Sequence, residues 1–216
     1  MPRHTVSVKQ DLHRDARAAI LRSAERIFAE KGLEGARTDA IARAAGVNKA
    51  LLYYYFKSKN ALFLAALEEV MRESHLKLMA ILSGDGSEKE ILLRYAEALF
   101  DGLSQRPDSR LLFQRFIMEN PKLVERLVKK LFLPRFRKVT AVIRRGMRRG
   151  ELRPMDANQA SLSMGALIVF YFSCGPIMKT VMRIDPFHPK ILKKRKQEMM
   201  EFIRYGLFKN PEARTR

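Results

Sequence analysis

The chain has 216 residues, 47% of them hydrophobic, enough for one moderate domain or two small ones with a real core. Its 42 Lys and Arg against 23 Asp and Glu leave a net charge of +19, which favours polyanionic partners, nucleic acid first and an anionic membrane or acidic ligand after it. One cysteine excludes an internal disulfide framework and fits a reducing cytoplasm, and the first fifteen residues lack the apolar core of a signal peptide.

Residues 1–13 read as a disordered basic arm, either a loose terminus or a contact to phosphates or the minor groove. A first helix is predicted over 14–31, where Ile20, Ala24, Ile27 and Phe28 fall at i, i+4, i+7 and i+8 and Gly32 supplies the stop.

The stretch TDAIARAAGVNKALLYYYFKSK, residues 38–59, reads as two short helices joined by a tight turn at Gly46. Thr38 is the expected N-cap of the first and Asn48 of the second, and Asn48 is also counted in the candidate DNA-binding surface. Ile41, Ala42 and Ala45 give the first helix a small apolar face, and Leu52 and Phe56 bury one side of the second. Lys49, Ala50, Leu51, Tyr53, Tyr54 and Tyr55 are left on or near the surface. Three consecutive tyrosines exceed what so small a core absorbs, and they suit a surface that meets DNA. Lys49 fits a guanine acceptor edge, and Ala50 and Leu51 fit thymine methyls or the backbone. Tyr53 and Tyr54 suit base edges and phosphates; Thr38, Tyr55, Lys57 and Lys59 suit phosphates; Arg37 and Arg43 stand behind them.

Thr38-x-x-Ile41-Ala42, Ala45-Gly46-Val47, Leu52-Tyr53-Tyr54-x-Phe56, Lys57-x-Lys59 and Leu62 together resemble the DNA-binding domain of TetR-type (TetR/AcrR) transcriptional regulators. The match runs from about Arg14 to Leu67, with Tyr55 where the family often has His and an unusually apolar Leu51. The resemblance implies a three-helix DNA-binding domain over 14–58 and a helical ligand-binding and dimerisation domain over 59–216. It further implies a homodimer joined through the last two helices, a palindromic operator on double-stranded DNA, and a small-molecule effector enclosed by three helices of the second domain.

Ser58 is the predicted cap of a long fourth helix reaching Leu82, whose Lys57–Asn60 start offers free N–H groups and cations to a phosphate. Further helices are predicted over 87–104, 108–118, 122–149 with a kink before Pro134, from Asp156 through an uncharged stretch to Met178, and over 190–207. The uncharged stretch approaches a spanning length, but Asn158, Gln159, Ser161, Ser163 and Ser173 interrupt it, so an interface helix is expected and no membrane partner. The three helices after residue 87 supply Phe100, Leu103, Leu112, Phe113, Phe116, Ile117, Leu131, Phe132 and Phe136, to which Gln114, Met118 and Tyr171 can be added. These are core residues by default, and a minority is expected to line a ligand pocket.

From Arg126 to Arg153 there are 11 Lys and Arg against the single acidic Glu151, net +10, whereas Met1 to Asn60 holds 12 against 6, net +6. The larger basic block reads as a solvated face held by neighbouring acids, or as a site for an anionic ligand or more DNA. Enzymatic signals are missing: there is no Gly-rich phosphate loop, zinc-spaced Cys/His set or nucleophile elbow, so neither cofactor nor metal is expected. His4, His13, His75 and His188 are scattered, and Cys174 reads as a small hydrophobe.

The expectation is thus an all-α protein of about nine helices. It would be a cytoplasmic DNA-binding regulator, a repressor released by a small hydrophobic or anionic ligand. A ligand-independent DNA-binding scaffold of the same fold is the first rival, and an enzyme or lipid-surface protein the distant second.

Overall fold

The computed structural model describes residues 4–105 and 125–209, with side chains from residue 15 onward except at position 176. Nine α-helices are found among these residues, and no strand, only one isolated antiparallel bridge between Leu152 and Phe208. In chain order they are α1 (His4–Gly35), α2 (Thr38–Ala44), α3 (Lys49–Phe56), α4 (Lys59–Ile81), α5 (Glu88–Gln105), α6 (Leu133–Arg148), α7 (Ala157–Ser173), α8 (Gly175–Met182) and α9 (Pro189–Leu207). The helix expected at 108–118 lies outside the described residues, and α8 was not foreseen as a separate helix.

The chain divides into two compact units, residues 1–73 with 108–127 and residues 74–107 with 128–216. The division falls inside α4, not after residue 58 where it was expected. The first unit packs the stripe Ile20, Ala24, Ile27 and Phe28 of α1 among buried Ile41 of α2, Leu52 and Phe56 of α3, and Leu62, Phe63 and Leu67 of α4. Phe28 and Phe63 meet edge to face at 4.9 Å. α1 departs from helical geometry at Gly32 (φ 69°), as expected for a stop. Its beginning corrects the arm predicted over 1–13, because the backbone is already helical from His4. No proline or glycine interrupts residues 4–13, so nothing in that segment breaks a helix propagating from α1.

The second unit is built on α5, α6, α7 and α9, with Leu92, Tyr95, Phe100, Val139, Ile143, Ile168, Phe172, Met199 and Ile203 in its core. Ser87 and Glu90 start α5 with a reciprocal capping box: the Glu90 N–H donates to Ser87 Oγ at 3.2 Å, and the Ser87 N–H to Glu90 Oε2 at 3.0 Å. The kink predicted near 131–133 is a π-helical turn, Val128–Phe132, after which α6 starts with Pro134 in its first turn. A proline there forfeits no intrahelical hydrogen bond, which is why the chain restarts its helix at that point. Asp156 caps α7 as expected, accepting from the Gln159 N–H at 2.7 Å.

At the other end of α6, a Cβ on Gly146 would lie 2.3 Å from Leu152 Cδ1 and 3.1 Å from Glu88 Cβ. Only a glycine lets α6, α5 and the 150–152 turn approach this closely. Glu88 is itself 2% exposed. Its carboxylate accepts hydrogen bonds from Arg145 (3.2 Å) and Arg149 (2.9 Å), more than fifty residues away in sequence. Burial alone would push the Glu88 carboxyl up, but Arg145, its own backbone N–H and Arg149 together hold it below its ordinary value.

Candidate DNA-reading site

Two backbone devices set the geometry of α2 and α3. α2 ends in a Schellman motif: the Val47 N–H donates to Ala42 O at 3.0 Å and the Gly46 N–H to Arg43 O at 3.1 Å. That closure needs the left-handed φ of 68° at Gly46, which a side chain would strain although open space surrounds its Cβ position. α3 then starts cleanly, because Asn48 is extended and its side chain accepts from the Leu51 N–H at 2.8 Å. Leu52 and Phe56 turn inward, and Arg17 of α1 lies over the Phe56 ring at 5.5 Å.

The opposite side of α3 faces solvent. Lys49, Ala50 and Tyr54 are exposed, while Leu51, Tyr53 and Tyr55 are half-buried. Tyr54 is 64% exposed, although its ring packs edge to face on Tyr55 at 5.3 Å and Lys57 lies over it at 5.8 Å. Arg37 and Arg43 on α2 are also exposed. Thr38 differs from its expected part. The extended N-cap is Arg37, with no side-chain hydrogen bond, so Thr38 already belongs to the helix. It is buried, and its hydroxyl sits 3.2 Å from Tyr53 OH, pinning α3 to α2. Lys59 is likewise occupied, its Nζ donating to Glu34 O at 3.3 Å and Ala36 O at 3.4 Å. Ser58 caps α4 as expected, accepting from the Ala61 N–H at 3.1 Å.

One contact was missed. Asp39 of α2 binds Lys49 Nζ at 2.9 Å, with both groups more than half exposed. This hydrogen bond and the charge of Asp39 raise the Lys49 ammonium above its ordinary value, so Lys49 is fully protonated at neutral pH. Its only signal in sequence was an acid in the first turn of α2, a position more often explained by the helix dipole.

The family comparison decides what this pair of helices belongs to. Residues 20–66 match the bacterial regulatory proteins, tetR family, and residues 89–203 match the tetracyclin repressor-like C-terminal domain. The chain belongs to the TetR family. It is 28% identical over 200 residues to the HTH-type transcriptional regulator RutR of Escherichia coli K12, covering 86% of this chain and 89% of that one. Two solved structures share the fold. One is a transcriptional regulator from Saccharomonospora viridis in complex with choline (23% identity, TM-score 0.72, 91% of this chain and 100% of that one). The other is FadR from Bacillus subtilis in complex with stearoyl-CoA (18%, 0.72, 86% and 96%).

In the second unit of this TetR-family regulator, α5, the 128–132 turn, α6 and α7 border an open cavity of about 530 Å³. Phe132 and Phe136 line it, as do Tyr95 and Leu99 from α5 and Gly165, Ala166 and Val169 from α7. Four other expected pocket residues lie elsewhere. Phe100 is buried in the core against Phe172 at 5.0 Å, and Leu103 packs beside that core. Leu131 is buried outside the cavity wall. Tyr171 is buried with its hydroxyl donating to Pro186 O at 2.6 Å. Helical spacing marks all four as inward-facing without telling core from cavity wall. Leu112, Phe113, Gln114, Phe116, Ile117 and Met118 lie outside the described residues. The α7 wall escaped notice because small residues carry no aromatic signal.

Five of the eleven cations of the basic block have internal partners. Arg145 and Arg149 hold Glu88, Arg144 reaches Asn158 Oδ1 at 3.5 Å, Arg153 donates to Gly206 O and Lys138 to Ser83 Oγ. Among the described residues no cluster of three or more His, Cys, Asp or Glu is spaced for a metal. No helix among them is long and apolar enough to cross a membrane.

Proposed function

We propose that this regulator is a homodimeric repressor that reads a palindromic operator with α3 and leaves it when a small ligand fills the α5–α6–α7 cavity. The carrying observation is the capped, rigidly mounted α3, which turns Lys49, Ala50 and Tyr54 outward from a core formed by Leu52 and Phe56. A helix of this kind enters the major groove with its N-terminal residues against base edges. Lys49 meets a guanine edge and Ala50 and Leu51 meet thymine methyls. Arg37, Arg43, Tyr55, Lys57 and the α4 start meet phosphates. Thr38 acts through Tyr53, whose ring it orients, rather than touching DNA itself.

Dimerisation is supported by large apolar side chains left in solvent, Leu162 and Phe170 on α7 and Phe202 and Tyr205 on α9, each more than half exposed. A monomer gains nothing from exposing them, and the same faces of a second copy would cover them with two-fold symmetry. α4 runs from Lys59 to Ile81. A ligand shifts the equilibrium only by its differential affinity for the operator-competent and released states. That the related folds were seen with choline and stearoyl-CoA supports a small-molecule effector here.

Selection of bound DNA from a random pool tests the reading. An inverted repeat with two half-sites one helical turn apart, or a multiple of it, is the expected product. A single asymmetric site would overturn the dimeric reader.

A further inference from the structure

Arg135 occupies a place where a cation is out of character. It shares a helical stripe of α6 with Val139, Val142 and Gly146, at i, i+4, i+7 and i+11, and those three are buried in the core of the second unit. Arg135 is only half-exposed and forms part of the wall of the 530 Å³ cavity. No carboxylate among the described residues forms an ion pair with it. Its guanidinium instead lies over the ring of Phe132, another wall residue, at 4.8 Å. That stacking fixes the plane of the fork, and among the described residues no hydrogen bond from its N–H donors to a protein acceptor is found.

The polar surroundings have the same sense. Tyr95, 5% exposed, also lines the cavity, and burial, tempered by the nearby Arg135 charge, raises its phenol above the ordinary value. It therefore stays protonated and able to donate. His75, which is not a wall residue, has a buried Nδ1 with no hydrogen-bond partner among the described residues. Burial, with Arg135 second, holds its imidazole below the usual value, so it adds no competing positive charge at neutral pH. Buried Ser161 adds a hydroxyl to the lining, and the other walls are hydrocarbon or small, among them Leu99, Phe136, Val139, Gly165, Ala166 and Val169. A charge at the edge of such a cavity is costly unless something compensates it.

We propose that the effector is a hydrophobic carboxylate, its apolar body in the α5–α6–α7 cavity and its carboxylate paired with Arg135. This rests on the reading of that cavity as the effector site. The volume has room for roughly 15–18 groups of water size, so a single medium-length chain or a fused-ring acid fits. Bidentate pairing of a guanidinium with a carboxylate favours this head over a neutral one.

The test uses three ten-carbon probes, decanoate, decanol and decyltrimethylammonium, each kept below its micelle concentration. Binding to the full-length protein is measured by calorimetry for the wild type, Arg135→Met, Arg135→Lys and the exposed-site control Arg137→Met. Wild type is expected to bind decanoate at least about tenfold more tightly than decanol, about 1.4 kcal/mol, and the cation least. Arg135→Met should bring decanoate down to the affinity of decanol while leaving decanol unchanged, which also shows that the cavity has kept its fold. Arg135→Lys should retain part of the preference, and Arg137→Met all of it. Equal binding of decanoate and decanol by wild type, or a preference that survives Arg135→Met, overturns the carboxylate proposal and leaves the cavity reading standing. Binding of none of the probes overturns the cavity reading and the proposal with it.

Discussion

The two compact units differ in where their positive charge goes. The second, residues 74–107 and 128–216, holds 25 Lys and Arg against 11 Asp and Glu, net +14. The first, with the DNA-reading helices, holds 17 against 12, net +5. By charge alone the polyanion site would be sought in the wrong unit. Several of the second unit's cations have internal partners: Arg145 and Arg149 on Glu88, Lys196 on Glu97 and Asp101 at 2.8 and 2.9 Å, and Arg195 on Leu167 O at 3.1 Å. The reader keeps fewer cations but mounts them on a capped helix pair. On the proposed reading, orientation rather than quantity of charge marks the DNA site, and the net field speeds encounter with DNA.

The comparison breaks most visibly at its structural end. Gly146→Val should destabilise the second unit by about 3 kcal/mol or more, because the first added carbon collides with Leu152; thermal unfolding reads this directly. Glu88→Gln should cost about 2 kcal/mol, discounted because both arginines are partly exposed. A carboxyl held below its unfolded value contributes stability that is present above the unfolded pKa and is lost as pH falls through the folded one. Wild type should therefore lose stability below about pH 4.5, and Glu88→Gln should flatten that part of the pH–Tm curve.

At the reader, Lys49→Ala should weaken operator binding at least about tenfold per half-site and relax the preference at one base pair, as selection on both proteins would show. Asp39→Asn is a smaller and opposite perturbation. Freed from its partner, Lys49 should bind nonspecific DNA a fewfold more tightly, measured by fluorescence anisotropy.

What the sequence disclosed, and what it hid, divides by distance along the chain. The Asn48, Ser58 and Asp156 caps each bind an N–H three residues on, and all three were legible, as were the Gly32 and Gly46 stops. The reader was legible because its motif packs such local signals at fixed spacing. Thr38 against Tyr53, fifteen apart, was not, and the same residue was assigned a cap it does not make. Glu88 carries no local signal of its role, because its arginines lie 57 and 61 residues away. Arg135 was counted in a basic block when its stripe spacing with Val139 and Val142 was already visible, and the π-helical turn before it hid the continuity of that face. The cavity could not be drawn from periodicity, which separates inside from outside but not filled from hollow.

The measurement that bears most directly on this division is the salt dependence of operator affinity. It should be taken for wild type, Lys57→Ala, and the triple reversal of the exposed Arg137, Arg144 and Arg148 to Glu. Each phosphate contact contributes about one unit to the slope of log K against log salt. Lys57→Ala should lower the slope by about one per subunit, while the triple reversal should leave slope and affinity within about twofold of wild type. The opposite pattern, an unchanged slope for Lys57→Ala and a collapsed one for the reversal, would place the DNA contact on the second unit and contradict the account.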